Sequence, residues 1–194
     1  MAHNWQHEVL DFWFGGRDLN ALSVPQDYWF AKNAAFDAEL HRRFLGLWQS
    51  AHAGQLDDDV DSARGALALA IVLDQFPRNL FRGHADAFAT DAAARRLVRE
   101  AIANRWDVAL PPVARWFFYL PLEHSEELAD QEESLRRHAS LPDDSPDHDS
   151  TLDYARRHHA IIARFGRFPH RNAALGRAST PEEQDFLTQP GSSF

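Results

Sequence analysis

The sequence predicts an all-α fold, and three observations favour this class. Apolar residues recur at three- and four-residue spacing in several segments, which is typical of helices that bury one face. No segment alternates apolar and polar residues between turn pairs in the manner of a strand. A chain of 194 residues with 44% hydrophobic side chains is long enough for one sizeable core. We therefore expect residues 1–194 to form a single helical domain, a compact array of about seven to nine helices.

The first two predicted helices cover the N-terminal part of the chain. Residues 4–14 form an amphipathic segment that ends before Gly15-Gly16, a pair that is costly inside a helix. From about residue 26 to 51 the apolar side chains again follow helical spacing, which indicates one long helix or two joined end to end. The apolar positions of this second segment are Trp29, Phe36, Leu40, Phe44, Leu47 and Trp48.

A strongly apolar helix is predicted over residues 61–75, with Asp61 or Ser62 as its N-cap. A helix that is apolar on most sides belongs at the centre of a bundle. Pro77 lacks an amide hydrogen and disfavours helical geometry in the residue before it. We therefore expect this helix to stop near Gln75.

Two helices are predicted in the middle of the chain. Thr90 is a candidate N-cap for a helix over about 90–104, whose apolar stripe is regular. Pro111-Pro112 starts the next helical segment, residues 113–120, since proline is suited to the first turn of a helix. Pro121 is expected to end or kink that helix.

Three further helices are predicted towards the C-terminus. Ser125 is a candidate cap for a helix that runs to about Leu141, and the polar segment 142–150 reads as a solvated loop. Ser150 is the expected cap of the penultimate helix. Thr180 opens the last helix with a capping box, Thr-Pro-Glu-Glu, and proline at the first turn. The expected buried stripe of the penultimate helix is Ala155, His158, Ile162 and Phe165.

Composition narrows the classes of partner and location. A formal net charge of −9 opposes general affinity for nucleic acid, which depends on clustered Lys and Arg. The N-terminus lacks the basic-then-apolar layout of a signal peptide, and no apolar run reaches the roughly twenty residues that span a bilayer. The sequence therefore predicts a cytoplasmic protein that binds neither nucleic acid nor membrane.

Familiar catalytic and metal-binding motifs are missing from the sequence. It contains no phosphate-binding loop, no dinucleotide glycine fingerprint and no Gly-x-Ser-x-Gly elbow. With no cysteine, thiolate zinc sites and a cysteine nucleophile are excluded. The histidines do not form a pair at four-residue helical spacing with further convergent ligands. We expect neither a metal nor a cofactor.

Two similar turns carry the candidate functional residues. Phe76-Pro77-Arg78-Asn79 and Phe168-Pro169-His170-Arg171-Asn172 both follow an apolar helix and place Arg and Asn just after a proline. One interpretation is structural, since Asn tolerates left-handed backbone and Arg can bond the last helical carbonyls. The other is that the two turns converge on a carboxylate or phosphate, with His as a proton carrier. In that case the ligand-binding candidates are Arg78, Asn79, Arg115, Arg171 and Asn172, and the catalytic candidates are Glu123, His124 and His170.

These residues lead to two hypotheses about function. The first is a pocket protein that binds a small anionic metabolite, with a hydrolase-like enzyme as one version of that function. The second is a helical scaffold that holds a peptide or protein partner, with exposed Trp5, Trp13 and Trp29 as anchors. The sequence leaves open whether the protein is an enzyme and which reaction it would catalyse.

Four segments resemble a known family in order and in content. They are Phe12-Trp13-Phe14, the Leu73–Gly83 stretch, the Phe117–Glu126 stretch and the Ile161–Arg177 stretch. Together they resemble the bacterial domain-of-unknown-function family numbered 924 over nearly the whole chain. The resemblance implies an all-helical fold similar to the tetratricopeptide-like superfamily, with stacked helical hairpins, and it implies no established activity.

Overall fold

The computed structural model describes residues 4–193, and over this range it contains helices and turns but no strand. The predicted all-α class is therefore confirmed. A π turn, Ile71–Gln75, joins the third and fourth helices into one continuous helical rod. The helices are α1 (Asn4–Phe14), α2 (Ala34–His52), α3 (Ala63–Ala70), α4 (Phe76–Leu80), α5 (Asp91–Ala103), α6 (Pro112–Glu123), α7 (Leu128–Ala139), α8 (His148–Phe165) and α9 (Pro181–Leu187).

The centre of the fold is formed by α3 with its π turn and by α6. Residues 65–77 and 116–123 are buried without interruption. Around α3 lie α1, α5 and α6, while α6 also contacts α7 and α8. The prediction that the apolar helix after Ser62 lies at the centre is thus confirmed, and Ser62 is its N-cap, accepting a hydrogen bond from the amide of Gly65.

The predicted helix over residues 26–51 is too long at its start. Helix α2 begins at Ala34, because the side chain of Asn33 caps it by accepting hydrogen bonds from the amides of Ala35 and Phe36. The turn before it carries Trp29 into the core, where its indole donates to the carbonyl of Trp13 at 2.7 Å. Trp13 and Trp29 are buried, so the prediction that they are exposed anchors is wrong. Trp5 is half-buried and donates to Asp59.

Pro77 does not stop the helix, contrary to the sequence prediction. In the π turn the amide of Phe76 donates to the carbonyl of Ile71, five residues back, which shifts the hydrogen-bond register ahead of the proline. Pro77 cannot donate to the carbonyl of Leu73, four residues before it. The hydroxyl of Thr90 donates to that carbonyl instead. Thr90 therefore stands before α5 but satisfies a carbonyl of another helix, and its side chain makes no cap bond.

Replacing Thr90 with Val is expected to lower the free energy of unfolding by about 2 kcal/mol. The substitution keeps the shape but leaves the Leu73 carbonyl without a donor and removes the acceptor of the Trp48 indole, at 3.4 Å. Urea denaturation would measure the loss. The matched control is Thr188→Val, since that exposed hydroxyl bonds only a carbonyl of its own turn and should cost less than about 0.5 kcal/mol. Equal losses in the two variants would contradict the role of Thr90.

The end of α6 and the starts of α7 and α8 differ from the predicted positions. Pro121 lies inside α6, which continues to Glu123. Helix α7 begins at Leu128, and the Ser125 hydroxyl accepts from the amide of Glu127 while donating to Asp130. Helix α8 begins at His148, within the segment that was predicted as loop, so Ser150 lies inside it.

Local residues set the end of α8 and the start of α9. Gly166 adopts a left-handed conformation with φ of 67° and terminates α8, a geometry that favours glycine. Thr180 forms the predicted capping box with Glu183 at the start of α9. Of the predicted stripe on α8, Ala155, His158 and Ile162 are buried, and Phe165 is half-buried against Phe186. None of the helices within residues 4–193 is both long and apolar enough to cross a membrane.

Candidate functional site

The two Phe-Pro segments, the first in α4 and the second in a 3-10 turn, meet at one carboxylate, Asp91. Helix α4 presents Arg78, whose Nη1 and Nη2 donate to the two oxygens of Asp91 at 3.0 and 3.2 Å. A short 3-10 turn, Pro169–Arg171, presents Arg171, whose Nη1 reaches Asp91 Oδ2 at 3.5 Å. Asp91 is the first residue of α5, where the helix dipole favours a negative charge. The two arginines therefore share one acceptor.

Arg171 is the most enclosed cation of this cluster. Its side chain is 7% exposed, and its guanidinium lies 4.7 Å from the ring centre of Phe88 and 4.4 Å from that of Phe168. Within residues 4–193 its buried Nε has no hydrogen-bond acceptor. Burial, with the nearby charge of Arg78, lowers the pKa of Arg171 to about 10, against the opposing effect of Asp91. Arg171 is still a cation at neutral pH, and one edge of its guanidinium is free of protein acceptors at Nε.

Asp74 and His124 form a hydrogen-bonded pair beside Arg78. Asp74 Oδ1 lies 2.8 Å from His124 Nδ1, and Gln75 donates to the other carboxylate oxygen at 2.6 Å. Burial alone would raise the pKa of Asp74, but the charges of Arg78 and His124 and these hydrogen bonds hold it well below its usual range. A carboxylate only accepts hydrogen bonds, so His124 Nδ1 carries the hydrogen and Nε2 is the basic nitrogen of the neutral ring.

Glu123 lies between two other histidines and not at the Asp91 cluster. It is 2% exposed, with Oε1 at 3.1 Å from His158 Nδ1 and Oε2 at 3.3 Å from His138 Nε2. The contact with His138 is within ion-pair distance but lacks hydrogen-bond geometry. Burial would raise the pKa of Glu123, but His158, His138 and His124 lower it. Glu123 is therefore a buried ionic group that links α6 to α7 and α8.

Burial also acts on the two histidines nearest to Arg171. It lowers the pKa of His158 to about 4, although Glu123 opposes the shift. It lowers the pKa of His170 to about 3, assisted by the charge of Arg171. Both rings flank Phe168, with ring centres 5.5 and 5.6 Å from its own. At neutral pH both histidines are uncharged.

The two asparagines of the turns make local bonds. Asn79 donates to the carbonyl of Gln75 at 3.1 Å and accepts from Arg82, which is the kind of local role that the structural interpretation predicts. Asn172 is buried and donates to the hydroxyl of Ser179 at 3.0 Å and to Glu183 at 3.3 Å. Both side chains point to neighbouring chain segments, and Asp91 is not among their hydrogen-bond partners.

Arg115 lies apart from the other candidates. It stands in the first turn of α6 and donates to the carbonyls of Leu110 and Val108, at 2.8 and 3.3 Å. At about 1.5 Å per residue it is roughly 13 Å from His124 along the helix axis. The structure therefore brings Arg78, Arg171, His124 and His170 together and leaves Arg115 outside.

Five residues of the cluster were not among the candidates: Asp74, Phe88, Asp91, Glu126 and Arg177. Asp91 is the shared carboxylate, and Phe88 covers one face of Arg171. Glu126 accepts from the amide of Phe168 at 2.8 Å and pairs with Arg177 through two bonds of 2.7 and 2.9 Å, which fixes the second turn. The sequence signal for Asp91 was an acidic residue directly after a cap position, a very common pattern.

Two surface clefts lie elsewhere in the molecule. One of about 420 Å³ runs between α5 and α7, and one of about 110 Å³ lies along α5 next to Trp106. The larger cleft contains Arg99 and Arg136, both more than half exposed and paired with carboxylates. Water screens ion pairs in which one partner is this exposed, so they give little discrimination. We therefore place the candidate site at the buried cluster around Asp91, where water screens charges less.

No group of side chains in the described part of the chain is arranged to hold a metal ion.

Comparison with known proteins shows the fold and the family of the chain. The family model described as "bacterial protein of unknown function (DUF924)" matches residues 9–191. The solved structure of a protein of unknown function from Agrobacterium tumefaciens is 40% identical, with a TM-score of 0.83, and the match covers 94% of this chain and 96% of that one. A search of curated proteins found no match. Since the family model spans most of the residues, the chain belongs to the DUF924 family of bacterial proteins of unknown function.

Proposed function

We propose that the cluster of Arg78, Arg171, Asp91, Asp74 and His124 binds a small metabolite through its carboxylate or phosphate group. The observation that supports this most directly is the buried Nε of Arg171, which lacks an acceptor among the described residues. A buried donor without a partner costs about 1–3 kcal/mol. An anionic oxygen at this position would remove that cost.

The way Arg171 is held suits an anion. Phe88 and Phe168 enclose the guanidinium and restrict its plane, so little side-chain entropy is lost when a ligand binds. The planar edge of an arginine matches the two oxygens of a carboxylate or phosphate. Asp91 accepts two hydrogen bonds from Arg78 and one from Arg171, through Nη1. Other N–H groups of Arg171 can therefore donate to a ligand.

The Asp74–His124 pair would supply proton transfer if the protein is an enzyme. An ionised carboxylate that holds Nδ1–H leaves Nε2 as a base able to take a proton from water, which is the orientation used in hydrolases. Asp74 stays ionised through most of the acidic range because Arg78 and His124 outweigh the effect of burial on its pKa. A hydrolase-like reaction with water as the nucleophile is the version of enzymatic activity that we propose.

Arg171→Gln is expected to abolish the thermal stabilisation that small anions give to the wild-type protein. At a ligand concentration about 100 times Kd, binding stabilises the folded state by about 2.7 kcal/mol, which is several degrees in Tm. Differential scanning fluorimetry with inorganic phosphate, acetate and succinate would measure the shift. Arg171→Lys keeps the charge but not the planar edge, so it should lose most of the shift as well.

The matched control is Arg156→Gln on the exposed face of α8, which removes the same charge from the chain. It should keep the full ligand-induced shift. If wild-type and Arg171→Gln proteins respond alike to every anion, or if no anion shifts the wild-type protein, the proposed site is wrong.

The alternative of a helical scaffold has less support, because two of its three expected tryptophan anchors are buried. Between α1 and α2, the exposed large apolar side chains are Leu19, Val24 and Phe30, and these would be the anchors of such a scaffold. The likeness to tetratricopeptide-like hairpins remains a prediction within this alternative.

We also propose that the protein acts in the cytoplasm, where anionic metabolites are made and consumed, and that it does not bind nucleic acid. The net charge of −9 supports the second point, because phosphate backbones are bound by clustered positive charge.

A further inference from the structure

The charges of the candidate site are already balanced before any ligand binds. Arg78 and Arg171 contribute two positive charges, and Asp74 and Asp91 contribute two negative charges. Asp91 is shared by both arginines, and Asp74 is shared by Arg78 and His124. An anion that enters this cluster therefore adds an unbalanced negative charge to a largely buried site. Burying an uncompensated charge is costly in free energy.

Among the described residues, the groups around the cluster supply no positive charge to compensate. Arg177 is neutralised by Glu126 in a two-bond ion pair. Burial keeps His158 and His170 uncharged, with pKa values of about 4 and about 3. Glu123, which also acts on His124, adds a further negative charge.

A proton on His124 would restore the balance. His124 is 14% exposed on its side chain, so water can deliver the proton, and its Nδ1 lies 2.8 Å from the carboxylate of Asp74. The charged and titratable groups around this ring come from α4, the π turn, α6, α8 and the second Phe-Pro turn. They are Asp74, Arg78, Glu123, His158, His170 and Arg171.

Building on the proposed function, we infer that the ligand of this site is a carboxylate monoanion, taken up together with one proton that is held at His124. The carboxylate and the proton enter as a neutral pair, so the two arginines and two aspartates remain balanced. Above neutral pH inorganic phosphate is mainly a dianion, and a dianion that enters with the same proton leaves one negative charge in the cluster. At these pH values the site should therefore select carboxylates over phosphate.

Isothermal titration calorimetry would test this with acetate, propionate, benzoate and inorganic phosphate. Each ligand is titrated in two buffers of different protonation heat at several values between about pH 6 and 8. We expect carboxylate binding by the wild-type protein to be accompanied by net proton uptake in this range. The best carboxylate should bind at least about tenfold more tightly than phosphate.

His124→Gln should bind the same carboxylate with little proton uptake and at least about tenfold weaker affinity. The control is His41→Gln on the exposed face of α2, which should keep both the affinity and the proton uptake of the wild-type protein. The wild-type measurement stands without the variant if His124→Gln does not fold.

The outcomes separate the inference from the proposed function. Tight phosphate binding, or carboxylate binding without proton uptake by the wild-type protein, overturns the inference and leaves an anion site at Arg171. Absence of binding by every anion overturns both.

Discussion

Asp91→Asn is expected to lower the free energy of unfolding by about 4 kcal/mol, the largest effect of any single substitution in the cluster. The carboxylate accepts two hydrogen bonds from Arg78 and a longer one from Arg171, whose side chain is almost fully enclosed. Removing the negative charge leaves two guanidinium groups close together without the carboxylate that they share. Breaking a buried ion pair by deleting one partner costs about 3–5 kcal/mol for this reason.

Urea denaturation followed by circular dichroism would measure the loss. Asp86→Asn is the matched control, because this residue lies in the turn just before Asp91 and is exposed, and it should change stability by less than about 0.5 kcal/mol. If Asp91→Asn behaves like Asp86→Asn, the two Phe-Pro turns are not held together by this carboxylate.

The folded protein should lose stability steeply as the pH falls from about 6.5 to 4. Burial lowers the pKa of His158 to about 4 and that of His170 to about 3, whereas both titrate near 6.5 in an unfolded chain. The unfolded state therefore binds these protons first. Their contribution to stability is complete above about pH 6.5 and is lost as the pH falls towards the folded values. Each histidine contributes a slope of up to about 1.4 kcal/mol per pH unit.

The slope is measured by urea denaturation at several values between about pH 7 and 4. His158→Gln and His170→Gln should each reduce it by roughly half, and the exposed His7→Gln should leave it unchanged. Asp74 should contribute little in this window, because its depressed pKa moves its own loss of stability below about pH 4. A stability that is flat between about pH 6.5 and 4.5 would contradict this prediction.

The sequence predicted the elements that are controlled by nearby residues. Ser62 and Thr180 cap the helices that their patterns indicate, and Gly166 ends α8 in the left-handed conformation. These features need only side chains within about four residues of the backbone groups they satisfy, so they can be read from the order of residues. The uniform apolar character of α3 also predicted its central position.

The candidate site was predicted only in part. The repetition of Phe-Pro followed by Arg and Asn drew attention to Arg78 and Arg171, and these do lie together. The same repetition suggested Asn79 and Asn172, whose bonds are local, and the pattern could not show that Arg115 stands at the far end of α6. A motif gives residue types at a turn, but it does not give the direction in which each side chain points.

By itself, the sequence determined the all-α class, the helix ends that are set by local caps, and the residue types in its two Phe-Pro segments. Only the tertiary structure decided that the helical rod of α3, the π turn and α4 continues through Pro77, because the donor for the Leu73 carbonyl is Thr90, which lies 17 residues further along the chain. Only the tertiary structure decided that Arg171 shares Asp91 with Arg78, since 80 residues separate Arg171 from that carboxylate. Both contacts depend on how helices pack, and packing brings together groups that no local pattern relates.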